Sequence, residues 1–101
     1  MNFLQDIFSK PFPSDKAPEV QRLIDELIKI GKTDDFLAET HMPGFNMQHR
    51  HNRARQVGTR LDEIGGLALM EYAQRQVRRK ASKLLAEHLE YCWDEIGRWR
   101  A

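Results

Sequence analysis

The sequence is poor in the residues that mark several protein classes. Its 101 residues include one cysteine, four prolines and six glycines. A single cysteine, Cys92, cannot form an internal disulfide, which excludes a disulfide-stapled scaffold and favours a reducing compartment. The longest uncharged apolar run, Ile64 to Met70, is far shorter than the roughly 20 residues that cross a bilayer. No basic segment precedes a hydrophobic core near Met1, so we expect no secretory signal and a cytoplasmic location.

Net charge is also small, because 16 basic and 15 acidic residues leave a formal charge of +1. Such a balance gives the chain no overall attraction for nucleic acid or for an anionic membrane. The charges are unevenly placed, however. Residues 49–83 hold nine basic and three acidic groups, a balance of +6, between flanks of −3 and −2. Only this middle block predicts a charged surface, and the acidic flanks could offset it.

Apolar residues recur with the three-to-four-residue period of α-helices, and no stretch alternates with the two-residue period of strands. The spacing predicts a helix over 18–30 that stops at Gly31 and a brief helix over 33–39. A further helix is predicted over 47–64, ending at Gly65-Gly66, and a short one at residues 2–8. The sequence therefore predicts an all-α fold.

Residues 67–96 contain neither proline nor glycine, yet their apolar stripe shifts by roughly 80° around a helix partway along. We therefore expect a break near Arg79 to Ser82 that separates two helices. Leu84, Leu85 and His88 belong to the apolar stripe of the second helix. The complete prediction is one domain, a compact bundle of four main helices plus one or two short helices. Residues 1–17 supply a short helix and a proline-rich connector, and residues 18–97 supply the core bundle.

Several short motifs occur in a fixed order across residues 23–99. They include Arg53-x-Arg55-x-Val57-Gly58, Ile64-Gly65-Gly66, Leu69-Met70 and Trp93-Asp94-x-Ile96-Gly97-x-Trp99. In this order they resemble a loose group of small, uncharacterised bacterial all-helical proteins with no known activity. The resemblance implies a compact helical domain and brings no catalytic residues. The chain departs from the group at Glu95, where glycine is expected, and at residues 79–82, where the group is richer in helix breakers.

One pair of residues has the spacing of metal ligands. His88 and Cys92 are four residues apart and would share a helix face, as two ligands of one zinc ion would, with His41 and His51 as further donors. His88 and Cys92 also lie within an apolar stripe, where a buried, hydrogen-bonded histidine beside an inert thiol is commoner than a metal site. We therefore predict no metal and no other cofactor.

The arginines of the middle block are candidate ligands for nucleic acid or a small anion. Arg53 and Arg60 share an outward stripe of the helix over 47–64, and Arg75 and Arg79 follow on the next segment. Arg50 faces inward on its helix, which indicates either a structural ion pair or an anion site, a pocket near the Pro43-Gly44 loop that His51 and Arg55 would also line. The chain lacks helix-turn-helix spacing and interleaved aromatic residues, so nucleic acid is the alternative rather than the favoured partner.

Aromatic residues gather near the end of the chain, at Tyr91, Trp93 and Trp99. Such residues close a core or anchor a partner, because tryptophan, tyrosine and arginine dominate interface hot spots. No arrangement of serine, histidine and aspartate has the context of a catalytic nucleophile, and no glycine-rich loop follows a strand. We therefore expect a non-enzymatic helical interaction domain that binds a second copy of itself or another protein, with no membrane role.

Overall fold

A computed structural model describes residues 10–40 and 45–100 of the chain, with side chains described over 10–32 and 49–100. A 3-10 turn at Ser14–Lys16 leads into helix α1 (Ala17–Thr40), which is followed by α2 (Phe45–Lys80) and α3 (Lys83–Cys92). These described segments contain no strand, so the predicted all-α class is confirmed. They contain three helices, however, rather than the four main helices that we predicted. The short helix predicted at residues 2–8 lies outside the described residues.

Helix α1 shows why one predicted stop is wrong. The helix runs through Gly31 without interruption, so the separate helices expected over 18–30 and 33–39 are a single element. A side-chain carbon at position 31 would overlap the Leu85 side chain of α3. Gly31 therefore serves the close approach of two helices, and its lack of a side chain matters for packing rather than for helix termination.

Helix α2 is sharply bent where the sequence predicts an end. Gly66 has φ 67° and ψ −158°, values that are not helical and that favour glycine, while helical residues continue on both sides. The bend divides α2 into an N-terminal arm (45–65) and a C-terminal arm (67–80). The paired glycines therefore redirect the helix without opening a loop, which is why the helix count is one lower than predicted.

Contacts with α3 show that the two arms of α2 fold back toward each other. Arg55 of the N-terminal arm donates to the carbonyl oxygen of Cys92, and Gln74 of the C-terminal arm donates to that of Ala86. In a straight helix, residues 55 and 74 would lie about 28 Å apart, whereas six residues of α3 span only about 9 Å. The bend at Gly66 therefore brings both arms against α3 and lets both contribute to one core.

The break predicted between Arg79 and Ser82 is confirmed. Helix α2 ends at Lys80, and Ser82 adopts an extended conformation as the N-cap of α3. Its hydroxyl oxygen accepts a hydrogen bond from the Leu85 amide at 3.0 Å. This satisfies one of the amide donors that a helix start leaves without an intrahelical partner.

Trp93 lies at the centre of the core and is fully buried. Its indole nitrogen donates a hydrogen bond of 2.9 Å to the Ala54 carbonyl oxygen, and its ring lies directly over Gly58. Around it pack the apolar faces of α1, of both arms of α2 and of α3. Within the described helices, none is long and apolar enough to span a bilayer.

Candidate functional site

Two of the predicted nucleic-acid ligands are held in ion pairs within the chain. Arg60 donates from Nε and Nη2 to the two carboxylate oxygens of Glu19, at 2.7 and 3.1 Å. Arg53 binds the Glu26 carboxylate in the same bidentate way through Nε and Nη2, and Arg53 Nη2 lies 2.9 Å from Glu26 Oε1. Both pairs join α1 to the N-terminal arm of α2 with the same seven-residue spacing on each helix. The two side chains remain 45% and 40% exposed on the outward stripe, but both guanidinium groups already contact carboxylates of α1.

These bidentate ion pairs shift the pKa values of both partners in the direction that favours their charged forms. Hydrogen bonding from Arg60 lowers the pKa of Glu19, and hydrogen bonding from Arg53 lowers the pKa of Glu26. The same contacts raise the pKa of each arginine. Both pairs are therefore ionised at neutral pH, and each guanidinium already has a carboxylate partner that an incoming phosphate would have to displace.

Near the predicted anion site, Arg55 and His51 contact the end of α3. Arg55 donates from Nη1 to the carbonyl oxygens of Cys92 and Asp94, at 2.7 and 3.2 Å. A cation at a helix C-terminus offsets the partial negative charge of unsatisfied carbonyls. His51 is exposed, with Nδ1 3.6 Å from Cys92 Sγ, and Arg50 is half-buried. The predicted pocket wall at Pro43-Gly44 lies outside the described residues.

The proposed zinc ligands do not share surroundings suited to a metal. Cys92 is buried, whereas His88 is exposed on the same helix, contrary to the buried histidine that the stripe predicted. Over residues 10–32 and 49–100, no three histidine, cysteine, aspartate or glutamate side chains converge into a group able to hold a metal ion. His41, the other candidate donor, lies outside that part of the chain.

Two of the three predicted partner-binding aromatic residues belong to the core. Trp93 and Trp99 are 0% and 5% exposed, and their rings meet edge to face with centroids 5.1 Å apart. Trp99 also donates from its indole nitrogen to the Glu90 carbonyl oxygen at 2.8 Å. They close the chain's own interior, which leaves Tyr91 as the predicted anchor that reaches solvent.

Helix α3 carries an exposed apolar surface of which the sequence predicted Tyr91 but not Leu84. Leu84 and Tyr91 are 72% and 74% exposed, and they are the exposed large hydrophobic residues of the described chain. Together with exposed His88 they follow the i, i+4, i+7 spacing of one helix face. We call Leu84, His88 and Tyr91 the outer face of α3.

The sequence prediction placed Leu84 and His88 on the core-facing side of the helix. It did so because they adjoin Leu85 and Leu89 in an apolar stripe that covers a wide arc of the helix. The side that is buried instead contains Ala86, Leu89 and Cys92. A signal was present in the sequence, since Leu84 is seven residues from Tyr91 and therefore within about 20° of it on a helical wheel. Ala86, which is fully buried, lies on the side that faces the core.

A cationic surface adjoins the outer face at the junction of α2 and α3. Residues 75–83 contain five basic and no acidic residues. In the described part of the chain, four of them make no ion pair or hydrogen bond through their side chains, and Lys83 lies 3.9 Å from Glu87. All five are exposed. We call these residues the basic cluster: Arg75, Arg78, Arg79, Lys80 and Lys83.

Comparison with known proteins does not assign this site. No protein family, no curated protein and no solved structure matches the chain. The resemblance to small bacterial helical proteins therefore stays a prediction. The outer face of α3 and the basic cluster are the surfaces of the described chain that are free to bind a partner.

Proposed function

We propose that this chain is a non-enzymatic helical domain that works by binding protein, either a second copy of itself or another chain, through the outer face of α3. One observation carries the proposal, the joint exposure of Leu84 and Tyr91 on one face of a single helix. Single exposed apolar residues are normal on protein surfaces, whereas apolar residues grouped on one face are the kind of feature that marks interaction sites. Tyrosine is also among the residue types enriched at interface hot spots.

The neighbouring contacts favour the same interpretation. Trp93 and Trp99, buried beneath α3, fix its position through indole hydrogen bonds to backbone carbonyl oxygens. Arg55 holds the carbonyl oxygens at its C-terminal end, and Ser82 caps its N-terminal end. A helix held at both ends has little backbone freedom to lose on binding, which lowers the entropic cost of association.

Sedimentation velocity over low to high micromolar concentrations tests this function. We expect self-association that Leu84→Ser and Tyr91→Ser each weaken, because each removes apolar surface from the contact. Ala68→Ser is the matched control, since residue 68 is exposed on the C-terminal arm of α2, outside both surfaces. Association that both serine variants leave unchanged would contradict the proposal, and a chain that stays monomeric at high micromolar concentration would exclude a second copy as the partner.

A second candidate function is binding to nucleic acid or another polyanion, and the basic cluster favours it. Arg75 and Arg79 are one helical turn apart, exposed, and make no ion pair with a described residue. Changing both to glutamine should weaken binding to mixed oligonucleotides and lower the salt dependence by roughly one unit for each phosphate that is no longer neutralised. The same change at exposed Arg98 serves as the control. Binding that is absent at about 50 mM salt, or independent of salt, would dismiss this candidate.

A further inference from the structure

The reversal of α2 depends on the backbone of one residue. Within α2, Gly66 has φ 67° and ψ −158°, and helical residues precede and follow it directly. A helical backbone at this residue would make α2 one straight helix of 36 residues, about 54 Å long. A side-chain carbon built on Gly66 would meet no described atom within 4 Å, so packing makes no demand on this position. Gly66 is therefore a hinge of a single residue.

The hinge joins two halves of the chain whose apolar faces cover each other. We call residues 10–65 the first half and residues 67–100 the second half. Both halves contribute to one buried apolar cluster. Trp93 of the second half lies over Gly58 of the first and donates to the Ala54 carbonyl oxygen. Straightening α2 would separate these partners and expose both apolar faces, so an open chain needs another cover for them.

A second copy of the chain carries that cover. In a pair of open chains, the first half of each copy packs against the second half of the other, and a two-fold axis makes every such contact twice. The packing and hydrogen bonds that join the halves are then all formed again, and the hinge is where the two forms differ. Exchange of an identical element between copies is for this reason a low-cost route to a dimer.

Glycine at position 66 keeps the closed form accessible. Its combination of φ and ψ is essentially restricted to glycine, whereas a straight helix favours almost any residue other than glycine or proline. A connection as short as one residue is also the kind that promotes exchange between copies. The identity of a single residue therefore sets the balance between a closed chain and an exchanged pair.

We propose that Gly66 is a hinge through which this chain exchanges its second half with a second copy. In the closed form α2 is bent and both halves belong to one copy. In the exchanged dimer both α2 helices are straight, and each core combines the first half of one copy with the second half of the other. This exchange does not involve the outer face of α3, so it goes beyond the proposed function.

Gly66→Ala shifts the balance without introducing a clash. Alanine disfavours the bent backbone and favours the straight helix, and its methyl group meets no described atom. Because both chains of the dimer gain, sedimentation velocity should show dimerisation strengthened by at least about 100-fold. Gly97→Ala is the control, since Gly97 also has a positive φ, 55°, but lies outside α2. It should lower the stability of both forms and leave the balance between them unchanged.

A disulfide distinguishes an exchanged dimer from association at a surface. Sγ of Cys92, in the second half, lies 3.6 Å from Nδ1 of His51, in the first half, so His51→Cys places a second thiol beside it. Mild oxidation then links the halves of one copy in the closed form and links two copies in the exchanged dimer. On a non-reducing denaturing gel, we expect a monomer for His51→Cys and a dimer for His51→Cys combined with Gly66→Ala. Reductant should return both to monomers.

The unmodified chain provides a test that needs no substitution at the hinge. Refolding from urea at about 1 mM protein should leave a dimer fraction that gel filtration separates, and refolding at about 1 μM should leave monomer. The dimer should persist for hours after dilution, because returning to the closed form requires the core to open. Two glycines inserted after Gly66 should abolish it, since a longer connection favours closure.

The outcomes decide the proposal in each case. A folded Gly66→Ala chain that stays monomeric, or one whose oxidation links residues 51 and 92 within one copy, refutes the exchange. If Gly66→Ala does not fold, as judged by circular dichroism, the unmodified chain decides. A dimer that the inserted glycines remove supports the exchange, and a chain that refolds only as monomer refutes it.

The proposed function can fail or hold independently of this exchange. Leu84→Ser and Tyr91→Ser should weaken association at the outer face of α3 and leave the exchanged dimer intact, because neither side chain lies between the two halves. A Gly66→Ala dimer that both serine variants dissociate would assign the association to the outer face and refute the hinge.

Discussion

Replacing Gly58 with alanine should destabilise the fold, although alanine is the better helix former. A methyl carbon at this position would lie 2.5 Å from Nε1 of Trp93 and 2.9 Å from its Cε2. Trp93 cannot give way easily, because it is fully buried and its indole nitrogen is bonded to the Ala54 carbonyl oxygen. The substitution therefore forces a rigid ring out of its place at the centre of the core.

Two destabilising contributions and one stabilising contribution determine the change in the free energy of unfolding. Overpacking a core costs about 1–3 kcal/mol, and loss of the buried indole hydrogen bond adds about 1 kcal/mol. The better helix propensity of alanine returns roughly 0.5–1 kcal/mol. We therefore expect Gly58→Ala to lower the free energy of unfolding by about 2 kcal/mol, the opposite sign from propensity alone.

Urea unfolding followed by circular dichroism measures this change. The midpoint should fall by about 1–2 M for a chain of this size. Thr59→Ala is the control at the next position, where the side chain is exposed and the effect should stay within about 0.5 kcal/mol. Gly31→Ala should cost less than Gly58→Ala, since it meets the movable end of Leu85 rather than an indole ring. A Gly58→Ala protein as stable as the original would refute this account of the core.

Three further substitutions test local features by the same unfolding measurement. Glu95 has φ 71°, so Glu95→Gly should raise stability by about 0.5–1 kcal/mol, and a decrease would show that the side chain is needed. Glu26→Gln should lower stability at pH 7 by up to about 1 kcal/mol. Arg53 lowers the pKa of the Glu26 carboxyl in the folded state. The difference in stability between the original chain and Glu26→Gln should therefore vanish as the pH falls through that lowered pKa. A difference that is constant with pH would contradict the ion pair. Ser82→Ala should cost about 1 kcal/mol because it removes the acceptor of the Leu85 amide, and no change would contradict the cap.

Much of the fold could be predicted because local patterns determine it. The stripe that includes Val20 and Leu27 is buried as its period indicates, and the change of stripe before Ser82 marks a real helix boundary. The glycines were harder to interpret. Gly31 and Gly66 look alike as breakers in the sequence, yet one allows a helix contact and the other bends α2. That distinction depends on which side chain lies opposite, and for Gly31 the opposing residue, Leu85, lies on a helix far along the chain.

The site was predicted less well because the availability of a charged residue depends on tertiary contacts. Residue composition gives the middle block its +6 balance. The carboxylates that occupy Arg53 and Arg60, however, lie 27 and 41 residues away on α1. No local pattern around either arginine indicates these distant partners.

Once those two arginines are set aside, seven basic residues of the middle block remain, and five of them are the basic cluster at the junction of α2 and α3. That junction adjoins the one helix face on which the described chain exposes two large apolar side chains, Leu84 and Tyr91. Cations and an exposed apolar side chain therefore occur together where α2 meets α3, although neither pattern alone predicts a binding surface. Binding that depends on both Leu84 and Lys83 would show that this coincidence has a function, because a merely solvated face would depend on neither.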